Sequence, residues 1–331
     1  MPKATVEAPA NIALIKYWGA KDFDPVVPYA PSLSMTLRAC RTRTTVQFDP
    51  DGTNENDILR VQDDGDLTAA DDPFRVPVVR HLDRLRSRTD RSGSFRVATQ
   101  NTFPSGAGLA SSASGFAALT LAAMQALGEP IDHAQASDLA RRSGSGSAAR
   151  SVWGGFVQWP RDGDFCASQI ASADHWALHD LIAVVDTRPK AVSSREGHRR
   201  APSSPFFETR LDHLEDRREA VHEALLDRDL DRLGPLVERD ATELHLIALS
   251  SRPPIHYWRP ATLAVLEAVR ALRADGVAAY ATMDAGPNVH VLCPPDAAPE
   301  VADRLDSHPE VEMLIQDRVG PGPTDEVAPL F

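Results

Sequence analysis

The sequence predicts an α+β protein built in two halves, and three observations carry that prediction. TLRACRTRTTVQFD (36–49) alternates apolar and polar residues for long enough to form an extended, half-buried strand. Residues 205–248 repeat Leu, Val and Ala at helical spacing, with acidic and basic residues between them. From 278 onward the pattern is strand, DAGPN turn, strand, helix, strand. The change of character places a boundary near 186–200 and divides the chain into 1–187 and 188–331.

The remaining elements follow in order. Residues 3–8 and 12–17 read as short strands either side of a break at 9–11, where Pro9 has no N–H for a ladder. PFRVPVVRHLDRLRSRT (73–89) becomes helical after Pro77, and SFRVATQN (94–101) returns to strand. A helix is expected over 109–127, stopped by Gly128, then a shorter one in HAQASDLARRSG (133–144). SVWGGFVQWP (151–160) and HDLIAVVDT (179–187) are strands. SSRPPIHYW (250–258) connects to a helix at 259–274, followed by strand 278–283, strand 288–293, helix 297–307 and strand 310–315. The tail VGPGPTDEVAPLF reads as poorly ordered, and no repeat of solenoid period is present.

Composition narrows the class. The chain has 331 residues, 42% hydrophobic and 25% charged, as in a soluble globular protein. Its net charge of −12 argues against general binding to nucleic acid or anionic membranes, though a local cationic pocket can still take a small anion. No apolar run reaches membrane-spanning length, and QDDGDLTAADDP (62–73) reads as a solvated loop. The opening MPKATVEAPANIALIKYWG lacks a basic segment followed by an apolar stretch and cleavage site, so no signal peptide is expected. Cys40, Cys166 and Cys293 are odd in number and far apart, fitting neither a disulfide framework nor a zinc site; the expectation is a reducing cytoplasm. Among 35 basic residues only Lys3, Lys16, Lys21 and Lys190 are lysine. Where arginine supplies the general surface charge, a retained lysine such as Lys16 points to a need for a compact ammonium; Lys3 is read as chance.

Four segments could carry chemistry. FPSGAGLASSASGF (103–116) leads through small residues into a helix whose first turn holds Ser111, Ser112 and Ser114. Free N–H groups and the helix dipole make such an end an anion site, and hydroxyls can complete an Mg²⁺ shell; tight packing of the helix on a sheet would use the same residues. RRSGSGSAARSVWGG (141–155) alternates Ser143, Ser145 and Ser147 with glycine ahead of Arg150, which suits phosphate or carboxylate but also a solvated loop. KAVSSREG (190–197) gathers Lys190, Ser193, Ser194 and Arg195, and equally reads as a helix N-cap with Glu196 assisting. In ATMDAGPNVHVL (281–292), Asp284 is either an ordinary turn residue or a carboxylate placed to take or orient a hydroxyl proton. Together the serine segments and the lysine/asparagine segment favour phosphate binding at the first of these. His245, His256 and His290 are scattered, give no metal signature and read as core or surface residues.

APANIALIKYWGAKD (8–22), PSLSMTL (31–37), NTFPSGAGLASSASGFAAL (101–119), SGSGSAARSVWGGFVQW (143–159), VSSREG (192–197) and MDAGPN (283–288) resemble, in order, the motifs of mevalonate diphosphate decarboxylases of the GHMP kinase superfamily. The resemblance spans most of the chain. It implies a GHMP kinase fold, with an N-terminal ribosomal-protein-S5-domain-2-like, ATP-binding domain (1–187) and a C-terminal ferredoxin-like domain (188–331), substrate and ATP meeting between them. It further implies that ATP phosphorylates or transiently activates the 3-hydroxyl of a 5-phosphorylated mevalonate, after which phosphate and CO₂ depart to leave an isopentenyl phosphate. On this likeness Asp284 accepts or orients the hydroxyl proton, Lys16 neutralises charge near the transferring phosphoryl, and Arg150 holds the substrate carboxylate. Tyr17, Lys21, Ser145, Ser147, Ser194 and Arg195 fall to the substrate, chiefly its 5-phosphate end, and Asn11 is the family's structural or substrate-contacting asparagine. Asn101, Gly106, Gly108, Leu109, Ala110, Ser111, Ser112 and Ser114 fall to ATP, with Ser112 or Ser111 near Mg²⁺.

Two departures stand out. SAAR replaces the commoner SACR, a minor change. More telling, the family reads YWGK, whereas this chain reads YWGAKD, so Ala20 stands where a lysine binds the terminal phosphate. Losing such a charge-assisted contact costs about 1.5–3 kcal/mol. The expectation therefore leans to mevalonate 5-phosphate over the 5-diphosphate. A mevalonate 3-kinase-like enzyme that stops after phosphorylation, and a nucleotide-binding regulator without turnover, are the other readings. The family allows a homodimer, which no segment of this chain establishes.

Overall fold

The structure is a computed structural model; it describes all residues except 53–56, 64–65, 105–110 and 161–163, and the side chains of all described residues but 62, 63 and 66. Strand β1 (Lys3–Ile15) runs straight through Pro9. A register shift between Pro9 and Asn11 absorbs the missing donor, so the two expected strands are one. After the hairpin β2 (Ala20–Phe23) and β3 (Val26–Pro28), β4 (Ser32–Asp49) pairs antiparallel with β1 along its length. β5 (Ile58–Asp63), β6 (Asp66–Ala69), helix α1 (Asp72–Thr89), β7 (Ser94–Asn101), α2 (Ser111–Ala126), α3 (His133–Arg141), β8 (Phe156–Trp159) and β9 (Ser168–Ala171) complete the first half. Its seven-stranded sheet has the order β6-β5-β7-β4-β8-β9, with β1 on β4. Helix α1 starts before Pro77, because the Asp71 carboxylate caps the Phe74 N–H and holds the first turn. Helix α2 lies on β1 and β4 through its small face, with Ala113, Ala117, Ala118 and Ala122 fully buried. Tight packing on a sheet is therefore one real use of those small residues.

The second half contains β10 (His179–Val184), α4 (Ser194–Arg200), α5 (Phe207–Asp227), α6 (Leu230–Ser250), α7 (Pro260–Ala274), β11 (Tyr280–Thr282), β12 (Val289–Cys293), α8 (Ala298–Asp306) and β13 (Met313–Arg318). Left-handed Arg228 and the Asp229 cap break the helical stretch 205–248 into α5 and α6. The four-stranded antiparallel sheet has the order β11-β12-β10-β13. β10 precedes position 187, yet it hydrogen-bonds to β12 and β13, so the chain passes from one sheet to the other between β9 and β10. One apolar cluster joins both sheets, with Ile12, Leu33 and Met35 packed alongside Ile182, Val184, Leu292 and, from α5 and α6, Val221 and Leu233. That shared core fixes the cleft between the halves. Among the described residues no helix is long and apolar enough to cross a membrane, and the three cysteines are buried and form no disulfide.

The expected disorder of the tail is overturned. Glu7 and Thr324 exchange backbone hydrogen bonds of 2.8 and 3.0 Å, and Arg41 donates to the Gly322 carbonyl at 2.8 Å. The Leu330 N–H reaches Thr45 Oγ1 at 2.9 Å, and Lys3 Nζ reaches the Phe331 carbonyl at 2.8 Å. Gly154 admits the strap, since a Cβ there would collide with the backbone of Gly322. Deleting residues 321–331 should lower the unfolding free energy by on the order of 2–4 kcal/mol, read as a lower urea midpoint; an unchanged midpoint would mean that the strap contributes nothing.

Candidate active site

Lys16 follows directly on β1, and its backbone is clamped from behind. Its N–H donates to Asp240 Oδ2 at 2.7 Å and its carbonyl accepts from Arg210 at 3.3 Å. Asp240, fully buried on α6, pairs with Arg210 and Arg217, both 2.9 Å away, and the same guanidiniums hold Glu243. Every charge in this buried network has a partner, the condition under which such a network orders a backbone rather than weakening it. The result is a fixed ammonium. Lys16, only 2% exposed, donates from Nζ to the Ala13 carbonyl at 2.6 Å and to Asp284 Oδ1 at 2.8 Å.

Asp284 sits in the turn between β11 and β12. Asn288 Oδ1 accepts the N–H groups of Val185 and Asp186, and Thr262 Oγ1 donates to the Pro287 carbonyl, so the turn is stapled to β10 and α7. The Asp284 side chain keeps 26% of its surface open to a cavity. Burial pushes its carboxyl upward, but the Lys16 ammonium, aided by His290 and Arg150, holds it below the ordinary aspartate value.

Arg150 follows the short 3-10 turn Gly146–Ala149. Its Nε and Nη2 donate to Asn11 Oδ1 at 3.1 and 3.0 Å, and Nη1 donates to Ser32 Oγ at 2.6 Å. Asn11 in turn donates to Ser151 Oγ at 2.8 Å. Three of the five guanidinium N–H groups are thus spent on position and two remain for a ligand. Burial lowers the Arg150 pKa to about 10, which leaves it charged at neutral pH. Asn11 does not line the cavity; it aims the arginine that does.

The cavity, about 390 Å³, also takes in Tyr17, Ser145, Ser147, Ser194 and Arg195. Ser145 and Ser147 hydroxyls lie 3.2 Å apart, and Ser112 is 3.5 Å from Ser145. Gly144 has φ +95°, and a Cβ on it would come within 2.5 Å of Arg195 Nη1, so glycine lets the two segments meet. Ser193 caps α4 by accepting the Glu196 N–H, while Ser194, the first helical residue, faces the cavity. The N-cap reading holds at Ser193, which lines the cavity together with Ser194. A second cavity of about 720 Å³ is lined from β4, β7 and α1, Asn101 and Phe74 among its walls. The two meet at Pro77, Ser111, Ser112 and Phe116, that is, at the N-terminus of α2.

Some expected site residues lie elsewhere. Ser114 is fully buried with its hydroxyl 2.6 Å from Thr42 Oγ1, and it ties α2 to β4 rather than facing either cavity. Lys21 is exposed with its ammonium over the Tyr29 ring, 5.6 Å from the centroid, and does not line the cavity. Its neighbour Ala20 packs into an apolar cluster with Val26, Val157 and Trp159. Gly106, Gly108, Leu109 and Ala110 lie outside the described residues. Two residues without an assigned role join the site. Lys190, which burial brings down to about pKa 8, donates to Ser194 Oγ and the Ala285 carbonyl, both at 2.7 Å; its rarity as a lysine was the available signal. His198 also lines the cavity, and nothing in REGH marked it.

Two family models match the chain: the diphosphomevalonate decarboxylase-like N-terminal domain over residues 8–171 and the mevalonate 5-diphosphate decarboxylase C-terminal domain over 180–324. The diphosphomevalonate decarboxylase of Candida albicans is 32% identical, with 98% of each chain covered. The phosphomevalonate decarboxylase of Haloferax volcanii is likewise 32% identical, with 87% of each covered. A solved structure of MDDEF in complex with MVAPP, AMPPCP and magnesium superposes with a TM-score of 0.88 at 38% identity, covering 98% of each chain.

Proposed function

The chain belongs to the mevalonate diphosphate decarboxylase family, with its GHMP-kinase fold, and on that premise we propose that it is an ATP-dependent carboxy-lyase acting on mevalonate 5-phosphate. The products are isopentenyl phosphate, ADP, phosphate and CO₂. The observation that carries the monophosphate is that positions 20 and 21 bring no cation to the Ser145/Ser147 end. Ala20 is sealed in an apolar cluster and Lys21 lies over Tyr29, so neither brings a cation to that end, where Arg195 lines the cavity and Lys190 is held on Ser194 Oγ. A second phosphate would lack the charge-assisted contact that a lysine at that place gives, and a phosphate monoester does not need it. The Haloferax volcanii relative, a phosphomevalonate decarboxylase, supports the same reading. The diphosphate is the second reading, favoured by the Candida albicans relative and by the MVAPP complex.

The residues divide the work. The two free N–H groups of Arg150 hold the substrate carboxylate, and Tyr17, Ser145, Ser147, Ser194 and Arg195 hold the 5-phosphate. This leaves the 3-hydroxyl facing Asp284. ATP occupies the larger cavity, with its γ-phosphoryl at the α2 N-terminus, where Ser111, Ser112 and the helix dipole favour negative charge. Ser112, whose hydroxyl stands where the two cavities meet, fits Mg²⁺ and would help to hold it beside the nucleotide's phosphates. Bound there, the ion would supply charge neutralisation to the phosphates. Asp284, held ionised by Lys16, is a weak base. It orients the hydroxyl and takes its proton as the new O–P bond forms. Lys16 offsets the charge that gathers on the transferring phosphoryl. The C3–O bond then breaks toward phosphate, and positive charge develops at C3. The electrons of the C–CO₂ bond form the double bond, and CO₂ leaves the Arg150 fork.

The test is kcat/KM for mevalonate, its 5-phosphate and its 5-diphosphate, with ADP and CO₂ both quantified. The 5-phosphate should win. A preference of about tenfold or more for the diphosphate, about 1.4 kcal/mol, would reverse the choice. ADP without CO₂ would make the protein a kinase, and nucleotide binding without turnover a regulator.

A further inference from the structure

One polar group in the cavity wall has no part in the chemistry above. His198 follows Ser194 and Arg195 by four and three residues on α4, so the three share one face of the helix, and all three line the smaller cavity. The imidazole is held on several sides. It stacks on Tyr17 with centroids 4.0 Å apart and planes at 26°, and it leans on Trp18 at 4.8 Å. Its Nδ1 lies 3.0 Å from the Gly19 nitrogen. A backbone N–H can only donate, so Nδ1 is the acceptor and the proton of the neutral ring must sit on Nε2. Nε2 makes no hydrogen bond among the described residues. Burial, reinforced by Lys190 and Arg150, drives the ring's pKa down to about 3, so it stays uncharged at neutral pH.

We propose that His198 is a substrate-binding residue whose Nε2–H donates to the 5-phosphate, and that the Gly19 N–H locks the tautomer that makes it a donor. The inference rests on the reading of the Tyr17, Ser145, Ser147 and Arg195 end as the phosphate end. A neutral donor there adds a directed hydrogen bond without adding charge.

His198→Leu keeps much of the ring's volume and removes the donor. It should raise KM for mevalonate 5-phosphate about tenfold or more while kcat falls less than about threefold. In His198→Gln the amide oxygen can accept from Gly19 and the amide nitrogen can donate into the cavity, so KM should return to within about threefold of the parent value. Equal KM values for the leucine variant and the parent, or equal losses in both variants, overturn the proposal. A measurement on the unaltered protein stands beside the variants. NMR of ¹⁵N-histidine-labelled protein should show His198 as the Nε2–H tautomer, with that proton moving downfield on addition of mevalonate 5-phosphate and not of mevalonate. An Nδ1–H tautomer, or the same shift with both ligands, overturns it. The spectra need no turnover, so absence of ADP and CO₂ from every mevalonate derivative would sink the functional reading while the phosphate contact is still decided.

Discussion

Asp284→Asn should lower kcat by about 10³-fold or more while nucleotide affinity changes by less than about threefold. The substitution is isosteric and keeps a hydrogen-bonding group in a turn that Asn288 and Thr262 hold independently. What disappears is the charge. The hydroxyl loses its proton acceptor, and the Lys16 ammonium, 2.8 Å away and buried, loses its counterion. Among the described residues the larger cavity meets the smaller at Pro77, Ser111, Ser112 and Phe116, none of which touches Asp284 in the hydrogen-bond network, so ATP should still bind. Single-turnover kinetics and nucleotide titration on the same preparation separate the two effects. Near-normal kcat would remove Asp284 from the chemistry.

Lys16→Met should lower kcat/KM by about 10²–10³-fold and change its pH dependence. With Lys16 present the Asp284 carboxyl is held below its ordinary value. Its ionised form then contributes stability above the unfolded-state pKa, and that contribution is lost as pH falls through the folded value. Without the ammonium, burial dominates and the Asp284 pKa rises. The acid limb of the residual activity should therefore move to higher pH. The stability deficit of the variant should be largest near neutral pH and narrow on acidification, because protonating an unpaired buried carboxylate relieves its cost. Profiles of kcat/KM and urea midpoints between about pH 5 and about pH 8 test both signs. An unmoved acid limb would mean that Lys16 does not set the state of Asp284.

Much of the site was legible because its residues are either rare in this chain or held in short motifs. Lys16 stood out among arginines, and Asp284 stood alone in a stretch without other charged groups. What sequence could not show is which way a side chain turns. Ser111, Ser112 and Ser114 look alike on the page, but helical phase turns Ser114 inward against Thr42 and leaves the other two at the junction of the cavities. In β2, Ala20 packs into the core while Lys21 stays exposed over Tyr29, out of the cavity that the family resemblance gave it to serve. The clamp on Lys16 was invisible for another reason. Arg210, Arg217, Asp240 and Glu243 are simply among the charged residues between the Leu, Val and Ala of 205–248, and only the packing of α5 on α6 against β1 turns them into a buried network. The tail failed in the opposite sense. Proline and glycine resemble disorder, but here they lay an irregular strap along β1 and β4, whose partners lie some three hundred residues earlier in the chain.

The central claim is that one alcohol receives the γ-phosphoryl of ATP between Asp284 and Lys16 and then leaves as phosphate. The fate of the alcohol's oxygen tests it most directly. With ¹⁸O at the 3-hydroxyl of whichever phosphorylated mevalonate turns over fastest, the label should appear in inorganic phosphate, one atom for each CO₂ released. Label recovered in water, with unlabelled phosphate, would contradict it.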